Sequence, residues 1–471
     1  MRKAFFGVAV VAAILSLAGC KTALLAPPVV ELPAPTVTAQ PLELTRWWVV
    51  FGDAALDRLI DEALKSNVDL EAAMARIEQA RANVLIAQSD LYPSVNLDVG
   101  VSRNRLSEIG SQPLPAGVDS TTSSHRVGIA ASYELDLWGK FRTATRAAQR
   151  QLLATRYARE TVQTTVAADV ARAYFAVLAA DAELGLLRDT LGTRAEAVWL
   201  QRDRFEAGVV GGLDLRQAEA ERAAVLADIA RTQQVIARFE SALAVLVGRP
   251  PREVFRPVVD RDTDTQRLLV VPVVEAGLPS GLLERRPDIQ QVEAELTAAD
   301  LRIDVARADY FPSITLTGTF GSESALLKNL FSGPALAWGI GAQLLQPIVG
   351  VKAIEANVAQ QTARRNEVVA VYRKTVQTAF KETYDALVSN RTSREALAAE
   401  TLRRGELAHA LELADLRYRG GYSAYLEVLD AQRQLLSADR LRIIAARDAR
   451  VALVDLARAL GGGWAPDSIV R

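Results

Sequence analysis

The strongest constraint on this chain is that it is written twice. Asp69 to Ser94 (DLEAAMARIEQARANVLIAQSDLYPS) and Asp288 to Ser313 (DIQQVEAELTAADLRIDVARADYFPS) both read as apolar-periodic helices ending in aromatic-Pro-Ser, 219 residues apart. Arg204 to Leu215 (RFEAGVVGGLDL) aligns with Arg417 to Val428 (RYRGGYSAYLEV), and Val247-Gly248 with Leu460-Gly461, at a separation of 213. The change in spacing falls between the blocks, where loops absorb length differences. A period of about 215 residues is far too long for a solenoid and describes a duplicated half with pseudo-twofold structure.

Each half follows the same order. A helix comes first, over about Leu56 to Asp90 and Pro287 to Asp309, ended by Pro93 and by Pro312. Apolar and polar residues then alternate over about 94–102 and 126–136, and again over about 313–320 and 336–344. This period of two is the strand signature. The connections Arg103 to His125 and Gly321 to Ala335 are rich in Ser, Gly and Pro, as exposed loops are. Beyond the strands, Lys140 to Ala207 and Val351 to Tyr418 contain no proline and are dense in Ala, Leu, Arg, Glu and Gln. Each predicts a helix of roughly 100 Å at 1.5 Å per residue. Each ends at a glycine turn (Gly208 to Gly212; Gly420-Gly421), from which a return helix runs to Gly248 or Gly461. The expected organisation is a first repeat over 56–284 and a second over 285–463. The first holds a helical hairpin, 140–248, and a linker, 250–284. The second holds a hairpin, 351–460, and is followed by a tail, 464–471.

Arg2 and Lys3 precede an apolar run from Phe5 to Leu17 and then Leu17-Ala18-Gly19-Cys20. Basic head, short apolar core and small residues describe a signal peptide over 1–19. The run is too short for a transmembrane helix of about 20 residues. Leu-Ala-Gly-Cys resembles a bacterial lipobox, in which Cys20, the only cysteine of the chain, would become the first mature residue and carry the lipid. Lys21 follows it rather than the Asp that retains lipoproteins in the inner membrane, which favours the outer membrane. Residues 20–55, with five prolines between Ala26 and Pro41, are expected to be an extended tether.

Composition excludes several classes. With 55 basic against 56 acidic residues, the chain lacks the footprint of a nucleic-acid binder. One cysteine forbids an intramolecular disulfide, and two histidines, His125 and His409, forbid a three-His metal site. No Gly-x-Ser-x-Gly, His-Glu-x-x-His or complete P-loop is present. The expectation is a chain that is not an enzyme and has no catalytic residue, metal site or cofactor beyond the lipid on Cys20.

Four strands with one apolar and one polar face match transmembrane barrel strands, and Tyr92, Tyr133, Trp138, Tyr310 and Phe311 stand at their helix-side ends. A barrel must close, and the smallest have about 8 strands, so several chains must share one. A soluble four-stranded sheet packed on helices is the competing reading.

The chain resembles the TolC family of outer-membrane efflux channels, in its lipoprotein branch. The motifs are Tyr92-Pro93-Ser94 and Phe311-Pro312-Ser313 entering strands, Leu135-Asp136-Leu137-Trp138-Gly139 leaving one, Leu283-Glu284-Arg285-Arg286-Pro287-Asp288-Ile289 opening the second half, and Leu426 to Gln432 after the second tip. The resemblance covers about residues 42–463. It implies a mainly α fold with membrane β: long antiparallel periplasmic helices plus four strands per chain in a shared trimeric 12-stranded barrel. It also implies a homotrimer anchored in outer-membrane lipid, a periplasmic adaptor and an inner-membrane pump as partners, and small molecules as cargo. In relatives the periplasmic end is shut by a tyrosine before the second tip and acids after it. Tyr418, Glu427 and Asp430 match these, while Ser423 stands where some relatives have a basic residue. Glu427 and Asp430 are three apart and share a helix face. Gly208, Val209, Leu213, Gly421, Tyr422 and Leu426 are the expected adaptor-contact residues at the tips. A protein-secretion duct and an envelope-spanning structural lipoprotein remain as alternatives.

Overall fold

The computed structural model describes residues 45–109, 119–254, 256–259, 269, 271–272 and 285–463. The signal peptide with Cys20, most of the tether, most of the 250–284 linker and the 464–471 tail lie outside them. A 3-10 turn over Trp47–Phe51 opens the described chain. The helices are α1 (Ala54–Ser66), α2 (Val68–Ser89), α3 (Lys140–Glu206), α4 (Gly212–Leu246), α5 (Pro287–Ala308), α6 (Val351–Arg419) and α7 (Tyr425–Ala459). The strands are β1 (Ser94–Arg105), β2 (Thr121–Glu134), β3 (Ser313–Ser324) and β4 (Leu336–Leu345). The long helices α3 and α6 have 67 and 69 residues, and the return helices α4 and α7 have 35 each. The described residues form two compact units, one built on those within 78–154 and 292–372, the other on those within 45–77, 155–291 and 373–463.

The first unit holds one antiparallel sheet in the order β1-β2-β3-β4. Its register runs unbroken from Ser94↔Ser132 to Arg105↔Thr121, from Glu134↔Thr315 to His125↔Ser324, and from Ser313↔Leu345 to Ser322↔Leu336. β2 stops at Glu134 rather than at 136, because Asp136 turns to the next helix. Its carboxylate accepts from Phe141 N at 3.1 Å and Arg142 N at 3.0 Å and so caps α3. β1 and β3 run past the alternating residues, to Arg105 and Ser324.

In the second unit the core gathers around Tyr174, Phe175 and Val166 to Leu178 of α3 with Ile443, Ala446 and Val454 of α7. The expected tether over 20–55 ends too late. Trp47 and Trp48 are fully buried in this core, and Arg450 lies 5.7 Å from the Phe51 ring and 5.1 Å from the Phe175 ring. Asp53 fixes the entry: one oxygen accepts from Ala55 N and Leu56 N, the other from Tyr174 Oη at 2.7 Å. The expected single helix over 56–90 is two, because Asn67 Oδ1 accepts from Asp69 N and Leu70 N and starts a new one.

Candidate functional site

The sheet has two chemically distinct faces. Val95, Leu97, Val99 and Val101 lie in register with Ala131, Ile129, Val127 and His125, and these with Gly318, Phe320, Ser322 and Ser324. Trp338 and Ile340 complete the rows on β4. The other face carries Asn96, Asp98, Arg126, Ser132, Thr315, Thr317, Thr319, Glu323 and Gln343. In a single chain the apolar side chains are bare: Leu97 is 71%, Val101 73%, Trp338 69% and Ile340 85% exposed. Contiguous apolar surface of this kind marks contact with a membrane or partner.

On the polar face two strands approach closely at one point. Gly128 and Gly321 are direct partners there, and a Cβ on Gly321 would lie 2.4 Å from Val127 O and 2.5 Å from Gly128 Cα. Only a glycine pair allows this approach, and glycine inside a strand is the device that permits close backbone approach or a tight bend in barrel sheets. At the helix-side end Trp138 stacks on Phe311 at 4.9 Å and donates from Nε1 to Pro312 O at 2.7 Å. Tyr92 and Tyr310 are exposed beside them.

The tips form a second candidate region, within the second unit. Gly208 and Gly421 take positive φ, 71° and 75°, and both helices end alike: Val209 N donates to Arg204 O at 2.8 Å and Tyr422 N to Arg417 O at 2.9 Å. This is the left-handed C-terminal turn that favours glycine. Val209, Leu213, Tyr422 and Leu426 all point to solvent. Behind them Val198, Leu215, Ala218, Tyr425, Val428 and Leu429 make one buried cluster, against which Tyr418 packs.

Tyr418 is half-buried, and its Oη accepts from Gln201 Nε2 at 2.9 Å and from an Arg204 guanidinium nitrogen at 2.7 Å. Arg204 also sits 5.2 Å over the Tyr418 ring. Tyr418 thus has a basic partner, Arg204, on the other hairpin. Glu427 lies 3.7 Å from Arg417, whereas Asp430 is exposed and accepts from Gln434 Nε2 at 2.5 Å. The two acids are therefore not equivalent: Glu427 has an arginine within 4 Å, whereas Asp430 accepts from an amide and feels Arg433 at longer range.

Sequence reasoning passed over Tyr425 and Arg194. Burial pushes the Tyr425 hydroxyl's pKa up, and its ring lies 5.6 Å from that of Tyr418. Arg194, buried in α3, reaches Gln432 of α7 and, at 3.8 Å, Glu221 of α4, which also accepts from Arg433 Nε at 2.8 Å. Burial depresses the Arg194 pKa while Glu221 opposes the shift. No sequence signal marks a buried arginine on a helix otherwise rich in surface arginines.

An antiparallel sheet with one apolar and one polar face, in a chain with duplicated helical hairpins, is the architecture of outer-membrane efflux channels. The chain belongs to the outer membrane efflux protein family, whose profile matches residues 59–249 and 278–462. It is 36% identical over 423 residues to the toluene efflux pump outer membrane protein TtgC of Pseudomonas putida, covering 89% of this chain and 85% of that protein. It is 35% identical over 483 residues to the outer membrane protein OprJ of Pseudomonas aeruginosa, covering 98% and 97%. Among solved structures it superposes on the Campylobacter jejuni CmeC outer membrane channel with a TM-score of 0.83 at 26% identity, covering 93% and 94%. It is the outer-membrane component of an efflux system, with a large periplasmic helical portion.

Proposed function

We propose that three copies of this chain close a 12-stranded barrel and conduct small molecules, handed over by a periplasmic adaptor and an inner-membrane pump, to the cell exterior. The observation that carries this reading is an exposed apolar face on one side of the sheet and a polar face on the other. A four-stranded sheet leaves edge backbone groups unpaired in lipid, and β1 and β4 of neighbouring copies satisfy them only by closing a ring. The efflux pump named for the TtgC relative supports a small organic cargo. A lipid on Cys20 adds a second hold on the outer membrane. The exposed Val209, Leu213, Tyr422 and Leu426 at the glycine turns suit contact with adaptor helices.

Tyr418, Glu427 and Asp430 shut the periplasmic end in this reading. Tyr418, bonded to Gln201 and Arg204, ties the two hairpin tips of one chain together. Under threefold symmetry Asp430 contributes a ring of carboxylates, which favours cations in conduction. The mass of the detergent-solubilised protein is expected to be that of a trimer; a monomer would sink the barrel. In planar bilayers, Tyr418→Phe with Asp430→Ala is expected to give larger currents or weaker cation selectivity. Wild-type behaviour in both would return these residues to structural roles.

A further inference from the structure

The charges of the sheet are sorted by face. The polar face holds Asp98, Glu134 and Glu323 with a single cation, Arg126, which pairs with Glu323 at 3.2 Å. The apolar face of β1–β4 holds no acid at all, and it holds two arginines, Arg103 and Arg105. The register of β1 has no bulge, so these two continue the row Val95, Leu97, Val99, Val101 on the same side. Both are exposed. Arg105 lies 3.7 Å from Glu108, a loose pair with both partners in solvent. Arg103 has no ion-pair partner among the described residues. Directly across on β2 stand the hydroxyls of Ser123 and Thr121.

A guanidinium on the lipid side of a barrel strand is unfavourable in the hydrocarbon and tolerated only toward the interface, where its stem lies along apolar surface and its head reaches polar groups. What that interface offers is phosphate, which the planar guanidinium fork grips with two hydrogen bonds. Two arginines at i and i+2 on one face stand about 7 Å apart, close enough to share one phosphorylated headgroup. Their position also fixes the leaflet. They lie at the loop end of β1, the end away from Ser94, Ser132 and Leu345, where the strands join the helices. With the helices periplasmic, the loop end meets the outer leaflet, and the abundant phosphorylated lipid there is a glycolipid.

We propose that Arg103 and Arg105, with Ser123 and Thr121, form a docking site for the phosphate of an outer-leaflet phosphorylated glycolipid. This rests on the barrel reading above. Neighbouring glycolipid phosphates would otherwise repel one another against the protein wall, and the two guanidinium groups supply the counter-charge that seals that boundary.

The test uses the full-length protein in detergent, by native mass spectrometry. The probes are a bisphosphorylated bacterial lipid A, its enzymatically dephosphorylated form and phosphatidylglycerol. Planar-bilayer conductance of the same preparation is measured in parallel. Wild type is expected to retain bisphosphorylated lipid A at least fivefold more than either other lipid. Arg103→Gln with Arg105→Gln is expected to abolish that preference. Arg126→Gln, which removes the same kind of charge from the opposite face, is expected to keep it. Equal retention of the dephosphorylated form, or an unchanged preference in the double variant, overturns the site. Equal retention of phosphatidylglycerol overturns the commitment to glycolipid. Wild type that forms no channel overturns the barrel reading and the site with it. Conducting wild type without phosphate dependence overturns the site alone.

Discussion

In the first half of the chain Asn67 donates from Nδ2 to Leu246 O at 2.7 Å; in the second, Arg286 donates from a guanidinium nitrogen to Ala459 O at 3.1 Å. The donors are 219 residues apart and the acceptors 213, the two offsets of the duplication. Each bond ties the start of a short helix to the end of a return helix. The glycine after each return helix takes positive φ, 75° at Gly248 and 79° at Gly461. The chemistry has nonetheless diverged. Asn67 is neutral and also caps α2. Arg286 is buried and pairs with Asp288 at 2.7 Å and Glu382 at 2.8 Å. Burial alone would lower its pKa, but these two carboxylates hold it above the ordinary value. Duplication preserved the geometry of the junction and let the atoms that make it change.

The largest difference between the halves should appear at the glycines. A Cβ on Gly248 would lie 2.0 Å from Ser66 O, against 3.0 Å from Arg285 O at Gly461. A side chain at positive φ costs about 1–2 kcal/mol by itself, and the backbone overlap at Gly248 adds more. Gly248→Ala is expected to lose on the order of 4 kcal/mol, and Gly461→Ala about 2. The survival of folded trimer after timed heating, at one protein concentration, checks the order. Equal damage at both sites would show that closeness of approach does not separate the halves.

Next comes Arg286→Met. It leaves Asp288 without its cation and Glu382 with only the looser Arg458 contact at 3.9 Å, and breaking a buried pair from one side typically costs about 3–5 kcal/mol. Asn67→Ala loses a cap and one hydrogen bond without stranding a charge, so about 1–2 kcal/mol is expected. Denaturant midpoints of the two variants test this. A loss at Asn67 as large as at Arg286 would mean that the shared backbone bond, and not the ion pairs, carries the second junction.

The return-helix ends at Gly248 and Gly461 are legible in the sequence, because repeat offsets survive when residue types do not, whereas Asn67 lies inside what reads as one helix over 56–90. The equivalence of Asn67 and Arg286 is not legible, since nothing in an asparagine and an arginine suggests one role. Alternation exposed the four strands but stopped short at Ser102, because Arg103 and Arg105 break the apolar row that they physically continue. In the sequence Trp47 and Trp48 read as part of the tether because the proline-rich run before them sets its composition, while their burial depends on α3 and α7, far along the chain. Tyr418 was found through the tip motif, whereas its partners Gln201 and Arg204 lie more than 200 residues away and only folding brings them near. Long-range polar pairing is what a periodicity analysis cannot see.

The smallest expected effect lies in the paired short helices themselves. Glu293 in α5 aligns, at the offset of 219, with Met74 in α2, so the two halves place a carboxylate and a thioether at matching positions. Burial raises the Glu293 pKa, and the hydrogen bond from Tyr372 Oη, long at 3.4 Å, only partly opposes it. A carboxyl whose folded pKa lies above its unfolded one binds its proton more tightly when folded. Its contribution is fully present below the ordinary glutamate value of roughly 4.3 and is lost as pH rises through the raised value. At neutral pH the ionised Glu293 therefore costs stability. Glu293→Gln is expected to raise the thermal midpoint at pH 7.5 by an amount worth less than about 1 kcal/mol, because the group keeps some solvent screening. The gain should vanish at pH 4, where wild type is already protonated. A midpoint difference that is the same at both pH values would assign the effect to packing, and a loss at pH 7.5 would show that the charge of Glu293 stabilises the second half in a way that Met74 cannot stabilise the first.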